Sequence, residues 1–153
     1  MKKHLILLPL ASALLLASQA SARAQMATDP ILVKECASCH LAFSAGWLTQ
    51  ESWKKVMGSL DNHFGDDARL PEERRAAVEA VLLAGAGDAK TGRASPFLKS
   101  VKGDPAPIRL TETYGFQRKH GKIKLGAAAM ARIKSLANCV ACHPKAAEGV
   151  FED

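Results

Sequence analysis

Two short stretches decide this chain: Cys36-Ala37-Ser38-Cys39-His40 and Cys139-Val140-Ala141-Cys142-His143. They use all four cysteines, and each ends in a histidine. C-x-x-C-H is the attachment signature of c-type haem. The reason is geometric, because two thiols three positions apart can both reach the vinyl groups on one edge of a porphyrin. The adjoining histidine then lies under the ring, with a nitrogen available to the iron. Cys36, Cys39, Cys139 and Cys142 are therefore read as thioether anchors of two covalent haems, and His40 and His143 as one axial ligand to each iron.

Three other uses of paired cysteines fit less well. A redox-active C-x-x-C needs a thioredoxin-like βαβ setting, which the sequence lacks. Two such pairs could hold zinc, but the usual gap is about 15–20 residues, and here 99 residues separate Cys39 from Cys139. Structural disulfides suit an oxidising compartment, yet they leave the repeated histidine unexplained.

Such a compartment is implied by the start of the chain. Met1-Lys2-Lys3 is followed by a nearly unbroken apolar run from Leu5 to Ala17, then by small residues ending Ala22-Arg23-Ala24. This is the layout of a secretory signal peptide over residues 1–24, with Ala20 and Ala22 as rival cleavage sites. The apolar run falls short of the ~20 residues that a membrane span requires. The expected location is the periplasm, with no integral membrane span after cleavage.

Of 153 residues, 21 are basic and 15 acidic, a formal charge of +6. Removing the leader subtracts Lys2, Lys3 and Arg23 and leaves +3. Residues 25–87 then hold six basic and nine acidic groups, and residues 88–153 hold twelve and six. Opposed halves of this kind favour protein docking over nucleic-acid binding. Each half carries one haem motif, so two lobes are expected, 25–87 for haem 1 and 88–153 for haem 2. With only eight aromatic residues in the chain, lobes of this size need a prosthetic group to fill them. Large multidomain enzymes are excluded by length.

The second axial positions decide between electron transfer and catalysis, since an open one admits a ligand. The mature chain offers two further histidines. His63 lies 23 residues after His40, and His120 lies 23 residues before His143. Equal separations favour pairing each with the motif in its own lobe, with distal histidines crossing between the lobes as the alternative. His63 borders the apolar stripe Trp53, Val56, Met57, Leu60 and Phe64 of a helix capped by Thr49, and it is favoured over Met57 as the haem 1 ligand. His120 sits in a charged run, Gln117-Arg118-Lys119-His120-Gly121-Lys122-Ile123-Lys124. Its local pattern fits a solvated face as well as a ligand, with Met130 the rival for haem 2.

Taken together, Glu35–His40, Ser52–Met57, Leu60–Asp66, Arg109–Thr113, Gln117–His120 and Ala137–His143 resemble the small periplasmic dihaem cytochrome c family (DHC type). The likeness runs from Ile31 to Asp153. It departs at Leu41–Gly46, where the family tends to carry aromatic and proline residues. The resemblance implies two bis-histidine haems c, with His63 and His120 as distal ligands. It also implies electron transfer rather than enzymatic activity, with a membrane b-type cytochrome and a small soluble monohaem cytochrome c as partners. The alternative is a haem enzyme or gas sensor with one five-coordinate iron.

The remaining pattern is helical, and no segment alternates with period two. Helices are expected from Asp29-Pro30, over Gln50–His63, from Leu70 to Gly85 and over Gly126–Cys142. A short one is expected at Pro96–Val101, and Gly85–Arg93 reads as a linking loop. The fold class is mainly α, with a cytochrome c-like first lobe.

Overall fold

Asp29 opens the first helix by accepting a hydrogen bond from Ile31 N at its Oδ1, 3.0 Å away. Pro30, in the first turn, has no amide hydrogen to leave unpaired. In the computed structural model, which describes residues 29–151, this helix is α1 (Pro30–Cys36). The signal peptide expected at 1–24 lies outside the described residues. α1 ends on the first cysteine, and a turn carries Cys39 and His40 beyond it.

Thr49 caps α2 (Gln50–Met57), its Oγ1 accepting from Ser52 N at 3.1 Å. This helix stops six residues short of the expected end at His63. Gly58 occupies its C-cap, and the Ser59 hydroxyl donates to the carbonyls of Lys55 and Val56, taking up acceptors at the helix end. A single 3₁₀ turn, Leu60–Asn62, then leads into His63. α3 (Glu72–Gly85) follows Pro71, and its Arg75 bridges Glu72 at 2.8 Å and Glu79 at 2.6 Å along one face.

α3 packs against α1, α2 and the turn Ala45–Trp47. Leu32, Leu48, Trp53, Val56, Met57, Val78, Leu82 and Ala86 form one buried cluster between them. The Trp53 indole N–H donates to the Ala45 carbonyl at 2.7 Å, so burial leaves no polar group unpaired on that side chain.

The expected link at Gly85–Arg93 begins as an anchored segment. Gly87 N donates to Leu48 O at 2.9 Å, and Asp88 Oδ1 accepts from Gln50 N at 2.8 Å. A Cβ on Gly87 would lie 2.3 Å from Leu98 Cδ1 and 2.7 Å from Gly46 O, so only glycine permits this crossing.

Residues 88–151 are looser. Pro96–Leu98 forms only a 3₁₀ turn. Thr113 then caps α4 (Tyr114–His120), a helix the charged sequence did not announce. α5 (Ala127–Ile133) is shorter than the expected Gly126–Cys142, because Lys134 turns the backbone left-handed at φ 62° and the Asn138 amide closes onto Ile133 O at 3.2 Å. The second cysteine motif therefore starts in a 3₁₀ turn, Cys139–Ala141. Among the described residues there are isolated bridges but no strand, and the fold is mainly α. None of the described helices is long and apolar enough to cross a membrane.

The buried apolar residues of this half are small, Ala106, Pro107 and Ala146. None of its large ones is fully buried, and Phe97, Val101, Ile108, Tyr114, Ile123, Leu136 and Val140 are exposed.

Candidate functional site

His63 enters the site from a strained turn. Its N–H donates to Asp66 O at 2.7 Å, and the next residue, Phe64, adopts φ 59°, a left-handed conformation that a bulky side chain takes only under constraint. The constraint comes partly from the other half, where the Arg109 guanidinium lies 4.3 Å over the Phe64 ring as a cation–π contact. The result is that His63 faces His40. Their ring centroids are 6.0 Å apart, and the planes lie 21° from parallel.

His120 closes α4, and His143 follows the second cysteine pair. Their centroids are 6.1 Å apart with planes at 89°. Two imidazoles on opposite sides of one metal ion, each bonded at about 2.0 Å, would place their centroids just over 6 Å apart. The separation of each pair suits one ion held between two opposed imidazoles.

Ring chemistry agrees. A carbonyl can only accept, so His40 Nδ1–H donates to Leu41 O at 2.7 Å and His120 Nδ1–H donates to Phe116 O at 3.1 Å. Each ring then keeps the Nε2 lone pair free for a metal, and the hydrogen bond raises its basicity. Burial pushes the pKa of His63 below its ordinary value, the neighbouring His40 pushes it the same way, and Asp66 opposes them. The imidazole is kept neutral, the form that ligates. Its Nδ1 is buried without a hydrogen-bond partner, so packing and backbone rather than a second hydrogen bond orient the ring.

None of the four cysteines is paired in a disulfide. Burial and the adjacent Glu35 push the Cys36 thiol up, and burial does the same to Cys139. A redox-active dithiol needs a lowered thiol pKa, so this setting does not suit one. Among the described residues, no group of three or more Cys, His, Asp or Glu could hold a metal ion, which removes a four-ligand zinc site. Met57 is packed in the apolar cluster of the first half, and Met130 is half-buried on α5.

These donors fit haem c: two thiols and a histidine in each motif, an opposed imidazole, and apolar side chains that protein atoms alone do not cover. A family model for dihaem cytochrome c matches residues 32–151. The chain belongs to the dihaem cytochrome c family. Its cofactors are two covalently bound haems c, and the family is one of electron-transfer proteins.

Solved structures agree. Diheme cytochrome c from Rhodobacter sphaeroides is 37% identical, with 82% of this chain and 98% of that one covered and a TM-score of 0.70. DHC purified from Rhodobacter sphaeroides gives 35% identity, coverage of 83% and 100%, and a TM-score of 0.66. The diheme cytochrome type c from Shewanella baltica OS155 gives 28%, coverage of 80% and 86%, and 0.60. No curated protein matches the chain.

Sequence reasoning missed the rings around the histidines. Phe43 stacks on His40 at 4.9 Å, Phe116 stacks on His120 at 4.1 Å, and Phe151 meets His143 edge-on at 5.6 Å. Phe116 was legible in hindsight. It stands four residues before His120, one helical turn away.

Proposed function

We propose that this dihaem cytochrome c carries single electrons in the periplasm through two six-coordinate irons. His40 and His63 would hold the iron of haem 1, and His143 and His120 that of haem 2. Cys36, Cys39, Cys139 and Cys142 would form the thioethers. The observation that carries the reading is the pair of facing imidazoles, 6.0 and 6.1 Å apart. When bound, each haem c supplies a one-electron ferric/ferrous couple. Histidines in both axial positions leave no open site for substrate, which separates this reading from a haem enzyme or gas sensor.

A bis-histidine iron sits at lower potential than a His/Met one, and surrounding charge then separates the two. Arg118 and Lys119 lie exposed beside His120, with Lys122 and Lys124 just beyond, and they favour the reduced state of haem 2. Asp61 and Asp66 flank His63 and favour the oxidised state of haem 1, with Arg109 opposing them. Haem 2 therefore has the higher potential, and electrons enter at haem 1 and leave from haem 2. By the same polarity, a basic face on the partner meets the first half and an acidic face meets the second. Family resemblance supplies the partner classes, a membrane b-type cytochrome or quinol donor and a small soluble monohaem acceptor. The leader read at 1–24 supplies the periplasmic location.

The ligands are tested by opening one iron at a time. Ferrous His63→Ala and His120→Ala proteins should each bind carbon monoxide at one haem, read as a Soret shift of half the full amplitude. Failure of either variant to bind it would remove that histidine from the ligand set.

A further inference from the structure

The histidine pairs share a separation but not an orientation. His40 and His63 lie 21° from parallel, whereas His120 and His143 lie at 89°. Each plane in the second pair has a local cause. Phe116 stacks on His120 at 4.1 Å and 12°, while its own carbonyl accepts the His120 Nδ1–H at 3.1 Å. His120 is thus held by one face and one edge, and rotation would break both contacts. Phe151 meets His143 at 5.6 Å and 69°, and is itself held by Trp47 of the first half at 5.9 Å and 62°. A residue at the far end of the chain therefore bridges the two halves and abuts an axial ring.

Ring planes matter because an imidazole donates π density only to the iron d orbital that projects out of its plane. Two parallel rings act on the same orbital and split the dπ pair. Two perpendicular rings act on both and leave them nearly equal. Low-spin ferric iron has one hole in this set, so splitting stabilises it; low-spin ferrous iron has none and gains nothing.

We propose that Phe116 and Phe151 are positioning residues that hold the His120 and His143 rings perpendicular, making the second iron magnetically distinct from the first and easier to reduce. This rests on the bis-histidine reading above. It acts in the same direction as the cations around His120, but through packing rather than charge, so it persists at high salt, where the effect of exposed cations is screened.

The test is frozen-solution electron paramagnetic resonance of the ferric holoprotein, with a spectroelectrochemical titration at high salt. Wild type should give two low-spin signals, one rhombic and one with a single strongly anisotropic low-field feature. Phe116→Leu and Phe151→Leu should each move the anisotropic signal toward the rhombic one and lower the second potential. The haem 1 signal should stay unchanged, which also reports an intact fold. Phe151→Tyr keeps the ring and should keep the wild-type spectrum. Two rhombic signals in wild type, or an anisotropic signal unmoved in both leucine variants, would overturn the proposal. A high-spin signal in wild type would instead defeat the bis-histidine ligation on which it rests.

Discussion

His63→Met exchanges one axial nitrogen for sulfur while keeping the position filled. Because His/Met ligation raises haem potential over bis-histidine, this variant should titrate with one potential raised and the other unmoved. The raised one is haem 1, and a rise in both would mean that the two irons do not titrate as separate sites. At this scale the sequence was informative about identity and silent about orientation. Two histidines at equal separations could be paired on paper, and the structure brings together the same pairs, His40 with His63 and His120 with His143. The planes of the rings could not be read, because Phe151 reaches Trp47 across most of the chain. Neither could the left-handed Phe64 that turns His63 inward, since Arg109 comes from the other half to cover it.

Among the helices, α2 depends on its cap. Thr49 is buried, its Oγ1 accepts from Ser52 N at 3.1 Å, and it shares a hydrogen bond with the Ser52 hydroxyl at 2.8 Å. Thr49→Ala should therefore lower holoprotein stability by about 1–2 kcal/mol in denaturant titrations; a change under about 0.5 kcal/mol would show the cap to be redundant. Helix starts were legible because Asp29 and Thr49 announce them through side-chain chemistry. Helix ends were less so. The apolar stripe of α2 continues past Met57 as a pattern, but Gly58 and Ser59 terminate the hydrogen bonding. α5 ends at a left-handed lysine, a residue type that gives no warning of the turn. α4 was hidden for the opposite reason. Its Arg118-Lys119-His120 end reads as solvated charge, although cations suit the last turn of a helix, where the dipole is negative.

Across the whole molecule the two halves are built unequally. The first has a buried apolar cluster of its own, from Leu32 to Ala86, while the second buries only small residues and leaves each of its large apolar ones half-buried or exposed. Protein packing alone should hold the first half better than the second. Blocking attachment at the second motif with Cys139→Ser and Cys142→Ser should abolish amide-exchange protection over 88–151 and leave much of that over α1–α3. Equal loss in both halves would show that the cluster does not stand without haem 2. The mainly α class and the two motifs were legible at this scale, since composition and the repeat fix them. The contacts between the halves were not. Phe151 against Trp47, Arg109 over Phe64 and Lys55 Nζ donating to Ala106 O at 3.4 Å all join residues far apart in sequence. A histidine on each side of both irons leaves neither open to an added ligand. This is checked by the optical spectrum of the ferrous wild-type holoprotein at neutral pH, before and after carbon monoxide. Two low-spin haems and no prompt change on adding the gas are expected. A rapid Soret shift at either haem would mean an open iron, and would contradict bis-histidine ligation.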